Sequence, residues 1–409
     1  MIVYAITERI QTMIIEPKTR GFICTTAHPV GCDENVRRMI KYTMEHPAAG
    51  ECLQARPKNV LVSGSSTGYG LASRIAAAFG GKAATVGVAF EKPSVNGRPA
   101  SAGWYNTAAF DKYASAAGLT SINIMGDAYG TAAKDAACAA IREHLGKVDL
   151  VVYSLAAPRR TLADGTTVSS VLKPVGAPYT GKSVDLRTKT LSEVTLEPAA
   201  EAEVADTVRV MGGEDWRAWI NRLHAEGLLA DGFTTVAYSY LGPALTHAIY
   251  KDGTIGMAKN HLKATADAIA ADYGVRALIS VNKALVTQSS AAIPVVPLYI
   301  SILFKEMQAR GTHEGVIEQM VRMMEKLYDG ETPLDEAGML RMDDYEMEPS
   351  LQAKIAGMWE TLTDENLAEA ADFAAYDREF LRLFGFGTEG VDYAQDVSPE
   401  VPLGHLVTL

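Results

Sequence analysis

From residue 59 onward, short apolar runs alternate with longer stretches in which apolar residues fall three or four positions apart. The runs are Asn59–Ser63, Ala84–Phe90, Ser121–Met125 and Val148–Ser154. Between them lie an Ala-rich stretch ending at Phe79, then Asn106–Ala117 and Thr131–Leu145. Strands alternating with helices of this length imply β–α–β units and a parallel sheet. Val60-Leu61-Val62 and Leu150-Val151-Val152 lack polar alternation, as strands buried on both faces do.

Residues 158–202 break the rhythm with Pro158, Pro174, Pro178 and Pro198 and with Gly165, Gly176 and Gly181. A connection this long within a compact fold is expected to be functional or to form a lid. One helix is predicted from about Ala202 through Leu228. The rhythm then returns with strand Thr234–Tyr238, helix Thr254–Tyr273 and strand Ala277–Val281. Further helices are predicted over Leu298–Arg310, Glu314–Tyr328, Pro349–Leu362 and Glu365–Leu383. Ahead of the first regular strand come an alternating start at Met1–Ala5, an apolar piece at Met13–Ile15, a loop over Arg20–Cys32 and a helix over Glu34–Glu45. No repeat or low-complexity segment is present. The expected fold is α/β, a Rossmann-type doubly wound parallel sheet with helical additions and a small N-terminal strand element. Residues 1–320 are expected to form the dinucleotide-binding and catalytic domain, with 158–202 as an insertion. Residues 321–409 are expected to be a mostly helical region packed on it.

Composition narrows the partners. The 409 residues carry 38 Lys and Arg against 49 Asp and Glu, a formal charge of −11. Nucleic acid needs a basic surface and is not expected. An anionic ligand would need a local basic or helix-dipole site. Cys24, Cys32, Cys52 and Cys138 show no paired spacing, which points to a reduced, cytoplasmic protein. Cys24, His28 and Cys32 resemble half a metal site, but no second ligand pair follows, so no metal is expected. Met1–Thr12 lacks a secretory apolar region, and no apolar run approaches the roughly 20 residues that span a bilayer.

The turn after Asn59–Ser63 reads Gly64-Ser65-Ser66-Thr67-Gly68-Tyr69-Gly70. Between a strand and a helix, such glycines permit a tight turn, backbone approach to a pyrophosphate and close helix–strand packing. The helix-start amides then face the phosphates. Glu91, about 20 residues past the last glycine, stands where a carboxylate bonds the adenosine ribose hydroxyls and repels a 2′-phosphate. That favours NAD over NADP, although the neighbouring Lys92 could accept a phosphate. Asp127 and Ala128 could flank adenine. Leu155 and Ala156 could line the nicotinamide ribose, and Leu285-Val286-Thr287 could fold over the nicotinamide.

Tyr250 and Lys259 form a Y-x8-K pair after the fifth strand, with Lys259 on the helix beginning near Thr254. A phenol there can meet a substrate carbonyl while the lysine orders the cofactor ribose and favours tyrosinate. Tyr240 is a second phenol that either bonds the same carbonyl or simply packs. Ser154 and Ser239 leave open a carbonyl or ketoacyl reductase of the short-chain type. A non-catalytic NADH sensor is the other alternative. Arg159, Arg160, Lys173 and Lys182 could form a basic mouth for a phosphate-bearing acyl carrier, or a solvated loop.

These residues resemble the trans-2-enoyl thioester reductases of the long, monomeric bacterial type, acting on enoyl-CoA or enoyl-acyl-carrier protein. The resemblance covers nearly the whole chain. It rests on Arg20-Gly21-Phe22-Ile23-Cys24, Thr26-Ala27-His28-Pro29, Gly64 to Gly70, Phe90-Glu91, and the spacing of Tyr240, Tyr250 and Lys259. Val286-Thr287-Gln288, Ile293-Pro294, Pro297-Leu298-Tyr299, Phe384-Gly385-Phe386-Gly387 and Gly390-Val391-Asp392-Tyr393 complete it. It implies NADH-dependent reduction of the carbon–carbon double bond of trans-2-enoyl thioesters in fatty acid metabolism. Tyr250 is implied as proton donor, Tyr240 as substrate contact and Lys259 as NADH ligand. Further NADH contacts are implied at Gly64, Ser65, Ser66, Thr67, Gly68, Tyr69, Phe90, Glu91, Asp127, Ala128, Leu155, Ala156, Leu285, Val286 and Thr287, with Leu285 where the family often has Val. The C-terminal part of such proteins is labelled flavin-binding by similarity; no second dinucleotide fingerprint occurs there, so FAD is not expected.

Overall fold

Eight parallel strands, the central ones presenting apolar side chains to both faces, organise the chain. The computed structural model describes residues 12–20, 23–46 and 57–409. Met1–Ala5, Gly21, Phe22 and Cys52 lie outside these residues. Strands β1 (Thr19–Arg20) and β2 (Ile23–Cys24) pair antiparallel near the start. The regular run follows as β3 (Asn59–Ser63), β4 (Ala84–Ala89), β5 (Ser121–Met125) and β6 (Val148–Tyr153), at or within a residue of the predicted bounds. Two hairpins come next, β7 (Arg159–Thr161) with β8 (Thr167–Ser169), and β9 (Tyr179–Asp185) with β10 (Thr190–Leu196). The sheet resumes with β11 (Leu229–Ser239), β12 (Arg276–Val281), β13 (Leu340–Arg341) and β14 (Leu406–Thr408).

The order is β13-β12-β11-β6-β3-β4-β5-β14, with every pairing parallel. Val60, Val62, Leu150, Val152, Val236 and Leu278 face one helical layer, made of Pro29–Glu45, Gly68–Ile75, Ala102–Ala116 and Val316–Tyr328. Leu61, Val86, Val88, Val151, Ala237 and Ile279 face the other, made of Thr131–Ala140, Glu214–Ala225 and Thr254–Tyr273. Each such buried side chain contributes about 2 kcal/mol by leaving water. That is why β3 and β6 tolerate no polar alternation.

Four expectations are revised. The helix predicted over Ala202–Leu228 is two helices, Glu201–Met211 and Glu214–Ala225. They break at Gly212-Gly213 because the helix Thr254–Tyr273 passes too close for side chains there. A Cβ on Gly213 would stand 2.1 Å from Thr265 Oγ1, and the Gly213 amide donates to His261 Nδ1 at 3.0 Å. The helix predicted over Glu365–Leu383 divides into Leu367–Ala370 and Phe373–Arg382, where the Asp372 amide leaves the helical ladder for the Ser301 carbonyl. Residues 158–202 hold the two hairpins and are anchored: Lys182 Nζ donates to the carbonyls of Trp359, Glu360 and Leu362. Lys173 and Thr254 exchange hydrogen bonds that tie this segment to the start of the Lys259 helix. Finally, residues beyond 320 return to the sheet at both edges as β13 and β14.

Candidate active site

Because all eight strands run the same way, the segments after β3, β4, β5, β6, β11 and β12 emerge at one edge of the sheet. That edge holds Gly64–Gly70, Phe90-Glu91, Asp127-Ala128, Leu155-Ala156, Tyr240–Tyr250 and Leu285–Thr287, the arrangement in which open α/β sheets bind ligands. Gly64 takes φ +86, and its amide and that of Ser65 donate to the Val88 carbonyl at 2.9 and 3.0 Å. A Cβ on Gly64 would lie 2.2 Å from the Ser154 carbonyl oxygen, and one on Gly70 would lie 1.9 Å from the Gly64 carbonyl oxygen. The turn is therefore pressed between β4 and β6. The helix Gly68–Ile75 has no side-chain cap at Thr67. Its first amides are left for an outside acceptor, and the dipole favours an anion there. The turn fits a dinucleotide pyrophosphate.

Glu91 accepts the Ser66 hydroxyl at 2.6 Å, and Ser66 is held in turn by Asn106 Nδ2 on its carbonyl. Phe90 beside it is 78% exposed. Asp127 accepts the Tyr129 amide at 3.0 Å on one carboxylate oxygen. The Asp127–Tyr129 loop is fixed from beneath by the buried ammonium of Lys134. This group donates to the carbonyls of Ala128 and Tyr129 at 2.9 Å each and pairs with Asp215 at 2.8 Å. Across the edge, Thr287 caps the short helix Gln288–Ala291, and Ser290 Oγ donates to the Leu285 carbonyl. The backbone of Leu285–Thr287 is held in place by these bonds.

Tyr250 ends the turn after Ala244–Thr246, and Lys259 lies two turns into the helix Thr254–Tyr273. Lys259 Nζ donates to the Tyr238 carbonyl at 2.9 Å, and burial lowers its pKa to about 8. The Tyr240 and Tyr250 rings meet edge to face, centroids 5.0 Å apart. Among the described residues the Tyr250 hydroxyl has no hydrogen-bond partner. The expected tyrosinate is not favoured here. Burial, with the nearby Glu346 carboxylate, pushes the Tyr250 pKa well up, and Lys259 does not offset this. Tyr250 stands as a neutral phenol with a free proton.

Of the two serines, Ser154 has its Cβ 3.1 Å from where a Cβ on Gly70 would sit, under the glycine turn, and Ser239 is buried. Three of the four basic residues of the supposed mouth are occupied within the fold. Arg160 pairs with Glu214, Lys173 with Glu203, and Lys182 with helix-end carbonyls. His28 Nδ1 accepts the Gly31 amide and Cys24 Sγ donates to the Thr26 carbonyl, and no cluster of metal-ligating side chains forms among the described residues.

One group escaped the sequence reading. Glu346, between the helices predicted over Glu314–Tyr328 and Pro349–Leu362, is fully buried against the tyrosines. Its Oε1 accepts Tyr240 at 3.1 Å and Tyr299 at 2.8 Å; its Oε2 accepts the Ala284 amide at 2.7 Å. No spacing in Met342–Glu346 marks it, because its partners lie just after β11, after β12, and on the helix Val296–Arg310.

Comparison with known proteins decides the family. Residues 98–328 match the model described as the trans-2-enoyl-CoA reductase catalytic region, and residues 14–96 match its NAD(P)H-binding domain. The chain belongs to the trans-2-enoyl-CoA reductase family. A relative from Opitutus terrae, named enoyl-acyl-carrier-protein reductase (NADH), is 55% identical over 96% of this chain and all of its own length. The trans-2-enoyl-CoA reductase of Euglena gracilis is 51% identical over 95% of this chain and 72% of its own length. The crystal structure of the Treponema denticola trans-2-enoyl-CoA reductase with NAD superposes with a TM-score of 0.92. It is 47% identical, covering 96% of this chain and all of that one.

Residues 334–397 also match a model described as the enoyl reductase FAD-binding domain. The residues present do not fit a flavin dinucleotide. The helices Pro349–Glu360 and Phe373–Arg382 begin on carboxylates: Glu348 accepts the Ser350 and Leu351 amides, and Asp372 the Ala375 amide. Glu348 is held down to about 2, first by the Ser350 hydroxyl and then by these amides. Negative caps disfavour a pyrophosphate at both of these helix starts.

Proposed function

We propose that this family member reduces the carbon–carbon double bond of trans-2-enoyl thioesters, of CoA or acyl-carrier protein, with NADH, in fatty acid metabolism. The observation that carries the reading is a neutral Tyr250 hydroxyl, without a hydrogen-bond partner among the described residues, at the same sheet edge as a glycine turn shaped for a pyrophosphate. When bound, NADH supplies a hydride to the β-carbon of the substrate. The chain's own part is to hold the pyrophosphate on the turn from Gly64 to Tyr69 and the adenosine between Phe90-Glu91 and Asp127-Ala128. Leu155-Ala156 and Leu285–Thr287 confine the nicotinamide end, and the Lys259 ammonium bonds the ribose. As the β-carbon gains the hydride, negative charge moves to the thioester oxygen. The Tyr250 hydroxyl donates to that oxygen and passes it its proton; as the thioester carbonyl re-forms, that proton returns to Tyr250 and the α-carbon takes up one proton from water, so that one hydride and one proton are added in all. Tyr240 forms the opposing wall of the thioester site. The Glu91 carboxylate disfavours the 2′-phosphate of NADPH. The working unit is a cytoplasmic monomer in which residues 1–320 carry cofactor and chemistry and residues 321–409 brace them.

The test is NADH oxidation with enoyl-CoA substrates from crotonyl to long-chain, beside acetoacetyl-CoA, repeated with NADPH. Reduction of the enoyl series with NADH is expected. Reduction of acetoacetyl-CoA alone would make this a carbonyl reductase, and background rates throughout would make it a sensor. Light scattering checks the monomer.

A further inference from the structure

A carboxylate sealed from water is costly unless donors surround it. Glu346 is 0% exposed and meets three: the hydroxyls of Tyr240 and Tyr299 on one oxygen and the Ala284 amide on the other. Its neighbour Lys283, also buried, has its ammonium on the Ala284 carbonyl and over the Phe304 ring. Gln352 Nε2 donates both to the Glu346 carbonyl at 2.6 Å and to the Tyr299 oxygen at 3.1 Å. This last bond settles a direction. The Tyr299 oxygen is an acceptor toward Gln352, so its single proton points to Glu346. Burial raises the Glu346 pKa, and the Ala284 amide and Lys283 oppose that rise; with the amide on Oε2 and the Tyr299 proton on Oε1, Tyr240 too donates to Oε1.

Resting on the reductase reading above, we propose that Glu346 is a positioning residue of the reaction. It draws the Tyr240 proton to itself, so that Tyr240 turns lone pairs toward the thioester site and Tyr250 is left as the one phenolic donor to the enolate. The division of labour follows from counting protons. Each phenol has one; Tyr240 has given its own to Glu346, whereas Tyr250 has no partner among the described residues. Two donors would stabilise the enolate equally from both sides. One donor opposite an acceptor orients the thioester carbonyl toward Tyr250. Glu346 does this from a distance. Its side chain touches neither the glycine turn nor Tyr250 by a hydrogen bond, and Ala284, Tyr299 and Gln352 pin it in place.

The test is a double-mutant cycle on the full chain with crotonyl-CoA and NADH, using Glu346→Gln, Tyr240→Phe and the pair. Gln offers one acceptor and one donor where three donors converge, so it cannot hold the Tyr240 proton as the carboxylate does. Glu346→Gln is expected to lower kcat about tenfold or more while NADH affinity changes by less than about threefold. In the Tyr240→Phe background the same substitution is expected to change kcat by less than about twofold, because its target is gone. Losses that multiply in the double variant would overturn the proposal and leave Glu346 a packing group. If Glu346→Gln does not accumulate folded, Tyr299→Phe replaces it. That change leaves Tyr240 alone on Oε1, so it should alter kcat with Tyr240 present and not in Tyr240→Phe. Equal effects in both backgrounds would overturn the proposal. Wild-type turnover in the same assay separates this outcome from failure of the reductase reading itself.

Discussion

Lys259 Nζ lies 2.9 Å from the carbonyl oxygen of Tyr238, so a neutral backbone group is the ammonium's one hydrogen-bond partner among the described residues. No carboxylate among the described residues pairs with it, and burial lowers the pKa from 10.5 to about 8. The ammonium is the form that donates to ribose hydroxyls. The KM for NADH should therefore be flat below pH about 8 and rise above it, and Lys259→Met should remove the break. Stability moves the other way. Between about 8 and 10.5 the unfolded chain binds the extra proton, so this group's contribution to folding improves as pH rises. Thermal melts at matched pH will separate lost affinity from unfolding.

Tyr250→Phe removes the free phenolic proton and leaves the edge-on ring contact with Tyr240 intact. Loss of one such donor costs about 3 kcal/mol of barrier, or roughly a hundredfold in kcat. NADH binding, followed by its fluorescence, should stay as in wild type. A kcat within twofold of wild type would remove Tyr250 from proton donation.

Glu91→Ala removes the carboxylate that receives Ser66 and faces the ribose position. With Lys92 adjacent, a 2′-phosphate then meets a cation in place of an anion. The ratio of kcat/KM for NADH over NADPH is expected to fall about tenfold. An unchanged ratio would place the selectivity elsewhere.

Gly70 and Gly68 should differ sharply under substitution by alanine. A Cβ on Gly70 lies 1.9 Å from a backbone oxygen, so the whole turn must move, at about 3 kcal/mol. A Cβ on Gly68 meets nothing within 4 Å, and the cost is the left-handed φ of +54 alone, about 1 kcal/mol. Calorimetry on the two variants reads the difference directly; equal melting temperatures would contradict the packing of Gly70 on Gly64.

The legible parts of the fold were those in which one physical signal dominates. Val60-Leu61-Val62 and Leu150-Val151-Val152 announce strands covered on both faces, and Gly64 to Gly70 announces a turn pressed against a sheet. Thr254 opens its helix where the pattern placed it. What was hidden depends on contacts between distant residues. Gly212-Gly213 reads as a tolerable interruption of one amphipathic stretch until Thr265 is brought against it. Leu340–Arg341 and Leu406–Thr408 are too short to show a period, and they become strands only because β12 and β5 offer open edges. At the candidate site, Tyr250 and Lys259 stand out in the sequence through their spacing. Glu346 does not, since a carboxylate is normally read as solvated and only the packing of Tyr240 and Tyr299 around it says otherwise.

The strand pairing at the β5 edge carries a kinetic implication. Asn123 bonds the carbonyl of Gly404, a partner 281 positions away, beside the β5–β14 pairing. Contacts of such separation need the intervening chain to be largely ordered before they are rewarded, which slows folding. Until β14 arrives, β5 presents an unpaired edge to any other strand in solution. Refolding yield should therefore fall with protein concentration more steeply than the stability of the finished molecule would indicate.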